Sequence, residues 1–159
     1  MYKTLKEVTQ TATQLNMTIG AFNTHNLEMM PEMIRAAKEL GVPIIIQTSI
    51  ATAKYIGYKV MVTVAKEMAE DEMVDVCLHL DHAKDFDEIK AAIDAGFSSV
   101  MFDGSALPFK ENIAKTKMVV AYAHAHGASV EGELGTIGGT EEGICVSEDD
   151  KKYTRPQDA

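Results

Sequence analysis

The feature that most constrains this chain is an alternation. Short apolar runs rich in β-branched residues take turns with longer segments of helical period. The runs are Thr18 to Phe22, Pro43 to Gln47, Val74 to Leu80, Ser98 to Phe102 and Ala128 to Leu134. Between them, Leu27 to Leu40, Ile56 to Ala69, Phe86 to Ala95 and Asn112 to His126 read as amphipathic helices, and a further helix is expected from about Lys3 to Leu15. Gly41, Gly96 and Gly127 stand where helix C-caps belong. Strands and helices that alternate in this way imply a parallel sheet with crossover helices.

Such a sheet can be open and doubly wound or closed into a barrel. No run is followed by GxGxxG or a Walker-type loop, which weakens the nucleotide-binding open sheet. Polar residues instead gather at the C-terminal end of every run: Asn23, then Gln47 and Ser49, then Asp81 and His82, then Asp103, then Glu131 and Glu133. In an eight-fold βα barrel those ends ring one mouth, where active sites of that fold lie. The expected fold is therefore α/β, a (β/α)8 TIM barrel. Such a barrel takes about 250 residues, and the 159 residues here reach only to about the fifth strand. Thr154, Pro156 and Gln157 read as a capping box opening another helix. Residues 1–159 are thus expected to be the N-terminal portion of a single, longer barrel domain.

A net charge of −9 with no run of Lys or Arg argues against affinity for nucleic acid or an anionic membrane. Apolar stretches fall far short of the roughly 20 residues that span a bilayer, and MYKTLKEVTQ lacks the apolar core of a signal peptide, so a cytoplasmic protein is expected. Cys77 and Cys145 form no CxxC pair, and Cys77 reads as a small core residue.

His82 is the best candidate for a metal ligand, with Asp81 beside it able to work on the same substrate. Asp103, Glu131 and Glu133 fall on neighbouring strand ends. Carboxylates that face one cavity repel unless a cation or a proton offsets them; a solvated acidic rim is the alternative. ELGTIGGTEEG, residues 133 to 143, has the glycines of a mobile lid and the acids Glu141 and Glu142, although a merely flexible charged loop would have the same composition. His79 reads as an inward core histidine, and His124 and His126 as helix-end residues.

Four segments, "GAFNTHNLEM", "IIQTS", "HLDHAKDFDEIKAAIDAGFSSVMFDGS" and "SVEGELGTIGGTEEG", in this order and spacing, resemble the class II, metal-dependent fructose- and tagatose-bisphosphate aldolases. The resemblance runs through nearly the whole chain. It implies a Zn²⁺ cofactor with His82 as one of three zinc-binding histidines, and Asp81 as the acid/base at the substrate's C4 hydroxyl. It further implies metal-binding positions at Asp103 and Glu133, a lid carboxylate at Glu141 that moves the proton at the nucleophilic carbon of dihydroxyacetone phosphate, and substrate contacts at Asn23 and Ser49. The partner it implies is a phosphorylated sugar, and family members are homo-oligomers. The other two histidines and the glycine-rich phosphate loop of the family have no counterpart within residues 1–159. Two other readings compete. One is a non-catalytic half-barrel serving as a pairing module; the other is a Schiff-base aldolase using Lys54, Lys84 or Lys110, all expected in loops or helix starts.

Overall fold

Five strands form one parallel sheet: β1 (Ala21–Asn23), β2 (Ile44–Ser49), β3 (Val76–Ala83), β4 (Ser99–Phe102) and β5 (Ser129–Gly132). The computed structural model describes residues 1–136, 139–141, 144–147 and 152–159. The strands lie in chain order, β1-β2-β3-β4-β5, and this decides between the two architectures. Right-handed crossovers in a sequentially ordered sheet put every connecting helix on one face, whereas a doubly wound sheet reverses its order and carries helices on both.

The side chains agree with that placement. Ile44, Ile46, Val76, Leu78, Leu80, Val100 and Phe102 form one core with buried residues of α2 (Met29–Leu40), α3 (Ile50–Ile56), α4 (Tyr58–Asp71), α5 (Phe86–Ala95) and α6 (Phe109–Ala125). Ile45 and Cys77, of opposite parity, pack instead on Val8 of α1 (Leu5–Gln14). Thr4 and Glu7 cap α1 reciprocally: the Thr4 hydroxyl accepts from Glu7 N at 3.2 Å and the Glu7 carboxylate from Thr4 N at 2.8 Å. This helix touches β2, β3 and β5, and Lys6 N donates to Ser129 Oγ at 3.1 Å. A sheet whose second and fifth strands both reach one helix is curled, with α1 on the concave side.

Several local expectations are corrected. α3 is a separate helix, because Ser49 caps it by accepting from Thr52 N at 3.4 Å and Gly57, at φ 99°, breaks it from α4. β2 and β3 run on to Ser49 and Ala83, beyond their apolar stretches. No helix opens at Thr154. Its hydroxyl donates to the Leu134 carbonyl at 2.6 Å instead of capping a helix, and a turn follows that Arg155 closes on Asp158 at 2.6 and 3.0 Å. From the glycine-rich segment, β6 (Gly139–Glu141) forms an antiparallel hairpin with β7 (Ile144–Val146). Its base is an antiparallel bridge, with Thr136 N donating to Lys152 O at 2.6 Å and Lys152 N to Thr136 O at 3.0 Å. Gly135 stands next to this bridge at φ 79°, where any Cβ would overlap the Lys152 carbonyl. Among the described residues, no helix is long and apolar enough to cross a membrane.

Leu78 is fully buried at the centre of the helix-facing core. Leu78→Ala should lower unfolding free energy by about 2–5 kcal/mol, as large-to-small core changes do, while Tyr55→Ala at an 83 % exposed position should change it by less than about 0.5 kcal/mol. Urea midpoints of the two variants check the contrast.

Candidate active site

The concave face of the sheet is graded. Strand parity sends Ile45, Gln47 and Ser49 of β2 to the same side as Cys77, His79 and Asp81 of β3, with Gln47 opposite His79 and Ser49 opposite Asp81. Near α1 this face is apolar, and towards the C-terminal strand ends it becomes polar. Between the two layers lies His79, 2 % exposed, its Nδ1 2.8 Å from Ser99 Oγ and its Nε2 3.4 Å from Glu131 Oε2. Burial, aided by repulsion from His82, pushes its pKa from 6.5 down to about 4 and keeps the ring neutral.

Asp81 and His82 are consecutive, so a regular strand would aim them at opposite faces. The β3–β4 register shifts between Leu80 and Ala83, and His82 adopts φ 48°, in the left-handed region. This bulge turns the imidazole to the carboxylate side of the sheet end. His82 Nδ1 lies 3.4 Å from Asp103 Oδ2 and 3.5 Å from Glu133 Oε2, and His82 Nε2 lies 3.9 Å from Asp81 Oδ1. Ligand atoms of His82, Asp103 and Glu133 lie within 4.8 Å of one another. One imidazole with two carboxylates is a donor set that suits a divalent cation such as Zn²⁺.

Hydrogen bonds hold these groups. Asp103 Oδ1 accepts from Ser105 N at 3.1 Å and from Ser105 Oγ at 2.6 Å, which leaves Oδ2 towards His82. Burial opposes ionisation of Asp103, but the bonds from Ser105 and His82 outweigh it and hold the carboxyl below its ordinary range. Gln47 Nε2 donates at 2.7 Å both to Asp81 Oδ2 and to Asn23 Oδ1. Glu131 is raised instead, by burial and then by the Asp81 charge.

The structure therefore gathers Asp81, His82, Asp103 and Glu133 at one end of the sheet, with Asn23 joined through Gln47. Ser49 stands beside Asp81 in register and caps α3. The backbone of Glu141 lies in β6; its side chain, and all of Glu142, lie outside the described residues. The lysines of the Schiff-base reading are exposed, with Lys54 held at 2.5 Å by Glu88 and Lys84 4.0 Å from Asp103. Gln47, a strand-end residue with no role assigned by the sequence, joins the site here, as do Ser105 and Asn112. A lone amide ending an Ile-Ile-Ile run marked Gln47, and the Asp-Gly-Ser order, in which a side chain bonds two residues on, marked Ser105; no local signal marked Asn112.

Two outcomes test this geometry. A β-carbon at φ 48° costs about 1 kcal/mol that glycine avoids, so His82→Gly should be more stable than His82→Ala by about that amount in urea melts. His79 is neutral when folded, so the unfolded chain binds the extra proton between pH 6.5 and about 4. Its contribution is complete above pH 6.5 and lost as pH falls towards 4, about 3 kcal/mol in all. Glu131 acts in the opposite sense, its raised carboxyl adding stability as pH falls. Comparing the chain with His79→Gln at each pH isolates the histidine, and the variant should show the flatter acid limb.

The fold has counterparts in known proteins. The model of the family described as fructose-bisphosphate aldolase class-II matches residues 3–159. A fructose-bisphosphate aldolase of Geobacillus stearothermophilus is 45 % identical over 143 residues, which are 88 % of this chain and 50 % of the relative. One from Giardia intestinalis is 43 % identical over 159 residues, 98 % of this chain and 48 % of the relative. Among solved structures, a putative fructose-1,6-bisphosphate aldolase from Coccidioides immitis superposes with TM-score 0.80 at 30 % identity, over 97 % of this chain and 54 % of that one. The YdjI aldolase from Escherichia coli K12 gives 0.76 at 33 % identity, over 85 % and 53 %. The chain thus spans about half the length of the relatives it matches. With a family match along almost its entire length and a fold shared with solved relatives at 30 % identity or more, the chain belongs to the class II fructose-bisphosphate aldolase family.

Proposed function

We propose that this chain carries the N-terminal half of a metal-dependent aldolase that reversibly cleaves a ketose 1,6-bisphosphate, of fructose or tagatose, to dihydroxyacetone phosphate and glyceraldehyde 3-phosphate. The supporting observation is the bulge in β3. It brings the Asp81 carboxylate and the His82 imidazole to one mouth with Asp103 and Glu133, an arrangement that supports a proton acceptor beside a cation ligand. Zn²⁺, when bound, supplies electrostatic stabilisation of the negative charge that carbon–carbon cleavage leaves on the dihydroxyacetone phosphate fragment. His82, Asp103 and Glu133 are the residues here that would hold it.

Asp81 takes the C4 hydroxyl proton as the C3–C4 bond breaks, so that the O–H electrons become the new carbonyl of glyceraldehyde 3-phosphate. Gln47 supports this role, since its amide holds one carboxylate oxygen at 2.7 Å and fixes the direction of the other. Glu141, on the hairpin, delivers a proton to C3, and the reverse reaction removes it. Asn23 and Ser49, at the ends of β1 and β2, contact the sugar phosphate. The outer edges of β1 and β5, each paired on one side only within the sheet, support a need for the remaining βα units of the barrel. The same reading carries a cytoplasmic, homo-oligomeric enzyme acting on no nucleic acid or membrane.

The test uses the chain joined to, or co-expressed with, the C-terminal half of a relative. EDTA should abolish aldol cleavage and Zn²⁺ restore it. Asp81→Ala should retain zinc while turnover falls by about two to four orders of magnitude, and His82→Ala should lose zinc as well. Inactivation by borohydride with substrate, indifferent to EDTA, would replace this reading with a Schiff-base mechanism.

A further inference from the structure

We propose that Asn112 is a positioning residue for the His82–Asp103–Glu133 cluster, a role that rests on the metal reading above. The β4–β5 ladder ends at the register pair Phe102 and Gly132. The two carboxylates of the cluster, Asp103 and Glu133, are each the next residue along, where the ladder no longer sets their separation. Asp103 is secured from the other side, since its N–H donates to the Ala83 carbonyl at 2.8 Å. For Glu133 the corresponding anchor is Asn112, whose Nδ2 donates to the Glu133 backbone carbonyl at 2.8 Å.

Asn112 lies in the first turn of α6, where a polar side chain is ordinarily solvated, yet it is only 4 % exposed. Thr116, one turn further on, donates from Oγ1 to Asn112 Oδ1 at 3.0 Å. That bond fixes the amide's orientation, because a flipped amide would set an oxygen against the Glu133 carbonyl and an NH₂ against the hydroxyl. The amide also packs on Gly104, immediately after Asp103, where a Cβ would overlap Asn112 Oδ1. One buried side chain thus touches both segments that carry the carboxylates. It ties their spacing to α6, an element that presents no ligand itself.

Groups that orient ligands typically change metal affinity by about 10–100-fold when removed. The experiment is a calorimetric Zn²⁺ titration of the 159-residue chain, in which the binding lost in His82→Ala defines the site and sets aside surface histidines. Asn112→Ala and the near-isosteric Asn112→Leu should weaken that His82-dependent binding by about 10–100-fold, and Thr116→Val by a smaller factor. Val119→Ala, a cavity at a 1 % exposed position of the same helix, should lower the urea midpoint without changing Zn²⁺ affinity. Unaltered affinity in folded Asn112→Leu overturns the proposal, as does an equal loss in Val119→Ala. If Asn112→Ala does not fold, Asn112→Leu and Thr116→Val decide. Absence of any His82-dependent Zn²⁺ binding in the unsubstituted chain overturns the metal reading itself and this role with it.

Discussion

Everything at the strand ends depends on burial of one parity of the parallel sheet. Ile44, Ile46, Val76, Leu78, Leu80 and Val100 are almost completely withdrawn from water against the helices. Each side chain contributes about 1.5–3 kcal/mol through that burial. A slip of one residue in β2 or β3 would forfeit most of it, which pins the register. The register in turn sends Gln47, His79 and Asp81 to the concave face without any attraction among them being required.

The bulge between Leu80 and Ala83 is the single local departure from that parity in the sheet's described ladders. It leaves Leu80 and Ala83 fully buried while both Asp81 and His82 serve the mouth. The left-handed backbone of His82 is the cost, and the core on either side of it offsets that cost. Below the bulge the polar layer is neutral, with His79 against Ser99; above it the layer is acidic. Glu131 is the carboxyl in this region that burial, and then the charge of Asp81, push upward. The divalent cation proposed for His82, Asp103 and Glu133 would offset negative charge in this region, which links the electrostatics to the proposed chemistry.

Much of this was legible in the chain. Runs such as PIIIQ and VDVCLHL announce strands buried on both faces, and the polar residue ending each run foretells a common mouth. The five strand positions and four of the outer helices follow from that pattern, α4 and α6 with shifted ends. What escaped was governed by single residues or by contacts distant in sequence. α3 exists because Ser49 can cap and Gly57 can break, and its seven residues lack a clear period. Thr154 carries a helix-opening signature, yet its hydroxyl is taken by the Leu134 carbonyl, twenty residues away. The glycines of residues 135–143 read as loop, but the backbone pairs β6 with β7, and Thr136 bridges Lys152, sixteen residues away.

The sequence by itself determined the kind of sheet, the positions of its strands and which residues stand at their ends, because apolar period and strand parity are local properties carried by every short stretch. It also named the chemistry-bearing types, Asp81, His82, Asp103 and Glu133. Their place at a common mouth was legible too, but only the tertiary structure decided how closely these four approach one another. Their convergence needs a register shift between β3 and β4, an Asx bond from Ser105, and a buried amide from α6. Each of these joins segments whose separation along the chain bears no relation to their separation in space. A hydrogen bond of 2.8 Å from Asn112 to Glu133 spans 21 residues, and no periodicity or local propensity encodes which side chain will make it.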